Sequence, residues 1–241
     1  MTYFYEGILN TKNVPYKVRP LTTKDIGQVL ALQDIVIDAL ENKQILQPLD
    51  FDEFKYITEG KGMIIGAFAE DELIAFRALM IPPIDEEHLG LDIGLKKEEL
   101  QEVIYQEISI VHPGYRGNRL QKKMAELIMQ QLSIIGSSFK YVCCTVMPFN
   151  IPSLKDKFSQ GMIIRALKEK YEDRLRYVFV KELGKPPEKE WDETRELPMG
   201  DIKGQQALLE QGWAGFKMEQ RDGEYWVMYG KKTTLRKKDG C

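Results

Sequence analysis

The chain has 241 residues, 43% of them hydrophobic, with a formal net charge of −3 and a pI near 5.7. That length and apolar content suffice for a substantial core, and the mild acidity gives no bulk electrostatic case for nucleic acid or an anionic membrane. No apolar run reaches the roughly 18 residues of a membrane-spanning helix, the first residues lack a signal-peptide pattern, and Cys143, Cys144 and Cys241 fit neither a disulfide framework nor a metal spacing, so the expectation is a reduced, cytoplasmic protein without a metal.

Residues 1–15 show no clear period. Tyr16–Leu21 reads as a short strand closed at Pro20, and Thr22-Thr23-Lys24-Asp25 supplies a helix cap ahead of Ile26, Val29, Leu30, Leu32, Gln33 and Ile37. A second short helix is expected around Phe51–Thr58. Gly62–Ala69 and Leu73–Ile81 are apolar runs separated by Glu70-Asp71-Glu72, the pattern of an antiparallel hairpin, and Pro82-Pro83 ends it. A polar connection follows, with a helical turn expected at Lys96–Glu102.

The stretch from Tyr105 to Leu132 carries most of the information. Ile104, Gln106, Ile108 and Ile110 alternate with Tyr105, Glu107, Ser109 and Val111, a period of two that predicts a strand. His112-Pro113-Gly114 breaks it. Beyond Gly117-Asn118 the period changes, with Leu120, Met124, Leu127, Ile128, Leu132 and Ile135 forming one stripe of an amphipathic helix that Gly136-Ser137-Ser138 ends. Strand, tight loop and helix follow one another, with Arg116, Arg119, Lys122 and Lys123 around the helix start. Unpaired amides and the positive dipole end at such a start suit a phosphate.

Phe139–Val146 reads as a buried strand. Asn150 is placed to cap a helix over Ser153–Gln160, with Gly161 as its stop. Met162–Leu167 and Arg174–Lys181 read as paired strands. Composition shifts at Gly184–Glu190, a linker, after which Ile202–Gln211 reads as a helix and Ala214–Gln220 with Glu224–Tyr229 as a hairpin. A domain over 1–183 and an extension over 184–241 are therefore expected, the extension being too small to bury much alone and so packed on the main domain or on a second copy as a homodimer. The basic residues Lys231-Lys232 and Arg236-Lys237-Lys238 read as a solvated terminus.

The element order and two motifs resemble the GNAT superfamily of acyl-CoA-dependent N-acyltransferases. Its strand-end signature, Val-x-Pro followed by x-x-Arg-Gly-x-Gly-x-Gly or Ala and a long helix, is matched by Val111-His112-Pro113-Gly114-Tyr115-Arg116-Gly117-Asn118-Arg119-Leu120-Gln121. Its second element, Asn-x-x-Ala and later Gly-Phe, is matched by Asn150-Ile151-Pro152-Ser153 and Gly161-Met162. The resemblance spans residues 16–183. It implies an α/β fold with a mixed, splayed central sheet flanked by helices, here carrying a small C-terminal helix-plus-hairpin extension.

The resemblance also implies acetyl-CoA as cosubstrate. Its pyrophosphate would lie on the backbone amides of Arg116, Gly117, Asn118, Arg119, Leu120 and Gln121, and its pantetheine arm beside the backbones of Ile110 and Val111, with Asn150 and Ser153 flanking. Tyr105 and Glu107 stand where the family places its base, and Glu107 is favoured because partial burial raises a carboxyl toward a useful pKa. Two departures stand out. Arg119 and Gln121 replace the family's small residues, and Lys157, beside Phe158, occupies the place of its tyrosine general acid. The implied activity is acetyl transfer to a primary amine of a small molecule, peptide or protein; the alternative is a non-catalytic acyl-CoA-binding or sensing module.

Overall fold

The computed structural model describes every residue except 1, 12, 136–137, 172, 187, 189 and 233–241. The expected helix stop at Gly136-Ser137, and Arg236-Lys237-Lys238 with Cys241, lie outside the described residues. The chain divides into two compact units, residues 1–88 with 100–142, and residues 89–99 with 143–241.

In the first unit, β1 (Tyr5–Ile8), β2 (Pro15–Pro20), β3 (Gly62–Ala69), β4 (Glu72–Met80) and β5 (Val103–Val111) form an antiparallel meander, each strand paired with the next. Two helices, α1 (Ile26–Asp38) and α2 (Phe51–Tyr56), contribute Ile26, Val29, Leu32 and Phe54 to a core shared with Ile64, Phe68, Phe76, Ile108 and Ile110. The long helix α4 (Leu120–Ile134) packs against β3, β4 and β5. With helices on both faces, β3 and β4 are apolar almost throughout, so neither shows an alternating pattern.

Local chemistry starts the helices as expected. The Asp25 carboxylate accepts from the Thr22 amide at 2.8 Å and from the buried Arg19 guanidinium at 2.8 Å, whose plane lies over Phe68. Asp50 and Glu53 cap α2 reciprocally, each side chain accepting from the other's amide at 2.8–2.9 Å. The stripe of α4 is buried from Leu120 to Leu132, but Ile135 lies past the helix and is 63% exposed, so the predicted stripe is one residue too long.

In the second unit, β6 (Tyr141–Val146, whose first residues belong to the first unit), β7 (Ile163–Lys170), β8 (Arg174–Glu182), β9 (Glu193–Pro198), β10 (Ala214–Arg221) and β11 (Glu224–Lys231) lie in the order β6-β8-β7-β10-β11-β9. The helices are the single turn α3 (Leu89–Asp92), α5 (Ile151–Ser159) and α6 (Ile202–Glu210). Residues 193–231 are built into this sheet, since β10 pairs with β7 through Gly215 and Ile164. Gln205 of α6 is fully buried and accepts from the hydroxyls of Tyr177 on β8 and Tyr229 on β11 at 2.6 and 2.7 Å. Two strands escaped the sequence: β1, short and half-exposed, and β9, an exposed edge strand written ETRELP.

Candidate active site

The site in the first unit begins at an irregularity in β5. Ala78 of β4 pairs with Ile108, but the next residue, Leu79, pairs with Gln106, so Glu107 is the extra residue of a β-bulge. The bulge resets which face each side chain takes. Ile108 and Ile110 point into the α1/α2 core, whereas Ser109 pairs with Arg77, whose guanidinium reaches α4. The predicted strict alternation is therefore corrected: Gln106 does not share a face with Ile108, and Ser109 does not share one with Glu107. Regular strand geometry cannot persist across an inserted residue.

Glu107 is half-buried and, among the described residues, accepts no hydrogen bond and pairs with no cation. Burial pushes its carboxyl up to about 7, and the negative charge of Glu53 on α2 adds to the rise. A carboxyl in that range exchanges a proton near neutral pH. Tyr105, two residues earlier, pairs with Met80 and packs its buried ring 5.5 Å from that of His88.

Past Val111 the chain makes a single 3-10 turn at Pro113–Tyr115. His112 Nδ1 accepts from the Gly114 amide at 3.0 Å, and Tyr115 donates its hydroxyl to Glu72 at 3.0 Å. The Arg116 amide is used within this turn, donating to the Pro113 carbonyl. The next six amides, Gly117 to Lys122, find no acceptor among the described residues. Gly117 has φ +82° and Arg119, the residue before α4, has φ +58°. The substitution of arginine for a small residue has thus not removed the left-handed turn; Arg119 adopts it at a cost of roughly 1–2 kcal/mol.

Asn118 is buried and occupied. Its Oδ1 accepts from the amide and hydroxyl of Thr11 at 2.8 and 3.0 Å, and its Nδ2 donates to the Tyr115 carbonyl at 3.0 Å, so it fixes the loop's shape while its amide stays unpaired. Arg116, Arg119 and Lys122 are exposed around the loop and have no carboxylate partner among the described residues. Amides without acceptors at a helix start, with exposed cations around them, are chemically suited to a phosphate.

Solved structures share this chain's backbone path. They include Arabidopsis thaliana NAA60 in complex with acetyl-CoA (17% identity, TM-score 0.54, covering 70% of this chain and 99% of that one). Others are an acetyltransferase of the GNAT family from Streptococcus pneumoniae (15%, 0.53, 70% and 99%) and an N-acetyltransferase from Staphylococcus aureus Mu50 (15%, 0.51, 70% and 98%). The chain has the GNAT fold. No family model and no curated protein sequence matches it, so the relationship is visible in the backbone path alone.

The second GNAT motif lies in the other unit. Asn150 caps α5, its Oδ1 accepting from the Ser153 amide at 3.3 Å, so each occupies the other. Lys157, which the resemblance sets in the place of a tyrosine general acid, is buried and lies 3.4 Å from Asp156. Among the described residues no group of three or more His, Cys, Asp or Glu is placed to hold a metal ion, and no helix is long and apolar enough to cross a membrane. What sequence reasoning missed is Arg77. It is fully buried on β4, donating to Gln106 Oε1 at 2.6 Å and to the Gln121 carbonyl at 3.2 Å. A lone arginine inside the apolar run LIAFRALM is the signal that could have found it.

Proposed function

We propose that this chain is an acetyl-CoA-dependent N-acetyltransferase acting on a primary amine of a small molecule, peptide or protein. One observation carries the reading: the unbroken run of unpaired amides from Gly117 to Lys122, entered from the strand whose bulge presents Glu107. A phosphate cradle at one end of a strand and a titratable carboxyl in its middle are the two functions that acetyl-CoA and an amine require.

In this reading the amides of Gly117 to Gln121 bind the pyrophosphate, with Arg116 and Arg119 adding charge from the rim. Arg116 contributes its side chain, since its amide is committed to the turn. One edge of Ile110 and Val111 is taken by β4, and in this reading the pantetheine arm runs beside the backbone of these two residues.

Glu107 takes a proton from the acceptor's ammonium. The freed nitrogen lone pair attacks the thioester carbon, the C–S bond breaks, and the departing thiolate takes up the second proton that the nitrogen sheds as the amide forms. No covalent enzyme intermediate is needed. Tyr105 seats the strand beside Glu107 through its packing on His88.

The buried Lys157 where the fold uses a tyrosine favours one rival, a module that binds acyl-CoA without turning it over. A two-part experiment separates them. Acetyl-CoA should raise the melting temperature, and no shift at millimolar ligand sinks the coenzyme assignment. A panel of amines followed by thiol release should then give turnover; binding without thiol release from any amine favours the module.

A further inference from the structure

β4 is apolar from Leu73 to Met80 except for Arg77, which is 0% exposed. Burying a guanidinium is unfavourable unless its donors are satisfied, and packing alone at this position calls for an aliphatic residue like its neighbours Phe76, Ala78 and Leu79. The two acceptors it meets are 15 residues apart in sequence and belong to different elements. Gln106 is the residue immediately before the bulge, and Gln121 is the second residue of α4.

Resting on the reading above, we propose that Arg77 is a positioning residue, a single fork that fixes the bulge bearing Glu107 and the first turn of α4 at one spacing. Gln106 is drawn to the α4 face by its bond to Arg77, while Ile108 is held on the opposite face in the α1/α2 core. Glu107 lies between these two anchors, so its direction and burial follow from both. The other arm of the fork holds the carbonyl of Gln121, within the run of residues whose amides are unpaired. The strained Arg119 turn is thus held from its helical side. Only arginine offers two rigidly spaced donor groups for this; lysine is a single mobile point that can reach one acceptor at a time.

Two variants separate the arms. Gln106→Leu removes the strand arm alone, and Arg77→Lys loosens both. Titration of the Glu107 carboxyl by 13C NMR needs neither substrate nor turnover. In Gln106→Leu the Glu107 midpoint should fall by about half a pH unit or more, toward the ordinary carboxylate range, as water gains access. The amide shifts of Gly117–Lys122 should stay unchanged, and the KM for acetyl-CoA should hold within about twofold while kcat falls. In Arg77→Lys the midpoint and the amide shifts should both move, with the KM for acetyl-CoA rising about tenfold. A Gln106→Leu protein that loses melting temperature but keeps its Glu107 midpoint overturns the proposal. So does one that raises the coenzyme KM as much as Arg77→Lys does. If Arg77→Lys fails to fold, Gln106→Leu decides alone. If the wild type does not bind acetyl-CoA yet the midpoint moves in Gln106→Leu, the acetyltransferase assignment falls and the clamp stands.

Discussion

Replacing Glu107 by glutamine should move catalysis and stability in opposite directions. The folded chain holds this carboxyl's proton up to about pH 7, against an ordinary value of 4.5. Below pH 4.5 both folded and unfolded chains are protonated, and the group costs nothing. Between 4.5 and about 7 the unfolded chain releases its proton and the folded chain does not, so stability falls as pH rises; above 7 the loss is complete. At 1.36 kcal/mol per pH unit the penalty is ~1 kcal/mol at pH 5 and ~3 kcal/mol at pH 8. Glutamine carries no such penalty at any pH. Urea unfolding of the two proteins without ligand should therefore show the variant's advantage widening by ~2 kcal/mol from pH 5 to pH 8. In the same variant kcat should fall about 100-fold or more, with coenzyme affinity changed less than about twofold. The wild-type rate should rise with an acid limb centred near 7. A stability difference that is flat across this range would show that Glu107 is not desolvated, and unchanged turnover would remove it as the base.

Two further perturbations test the loop and the second unit. Arg119→Gly should stabilise the chain by about 0.5–1 kcal/mol, because glycine takes the left-handed turn freely but has more unfolded-state entropy to lose. It should also weaken acetyl-CoA binding and flatten its salt dependence, as read by calorimetry at two salt concentrations. Arg119→Ala keeps the strained backbone and should gain nothing, so equal stability of the two variants would show the turn to be unstrained. Gln205→Leu strands the hydroxyls of Tyr177 and Tyr229 and removes the donor to the Met199 carbonyl, which lies 2.8 Å away. Urea unfolding should register a loss of about 4 kcal/mol, and a loss under about 1 kcal/mol would show that these groups find other partners.

What the sequence made legible was whatever is decided locally. The hairpin of β3 and β4, the caps at Asp25 and Asn150, and the change of period after Gly117 depend on residues within a few positions of one another. The bulge at Glu107 depends on register against β4, which no period within β5 can encode. Arg119 read as an obstacle to a left-handed turn because propensity disfavours it, yet the Thr11–Asn118 bonds and the start of α4 hold the backbone there. β9 went unassigned because a charged edge strand owes its structure to the partner it pairs with, here β11 from Trp226 to Lys231. Glu107 was legible as a candidate, and so was burial as the cause of its rise; the added push from Glu53 was not, because it requires knowing that α2 brings this carboxylate near.

The features that disfavour folding are concentrated in one stretch. Between Gln106 and Lys122 the chain carries an uncompensated half-buried carboxyl, an arginine with positive φ, and six amides without acceptors among the described residues. The first two could each be relieved by a single substitution, glutamine at 107 and glycine at 119. Elsewhere in the first unit Arg19 is closed off by Asp25, and Gln33 by the Leu49 backbone at 2.8 and 3.0 Å. A fold that satisfies its polar groups in one place and leaves them open along one strand-loop-helix is holding them for something that arrives later. The amides suit an anion and the carboxyl a proton donor, and in the reading proposed above acetyl-CoA and an amine supply them.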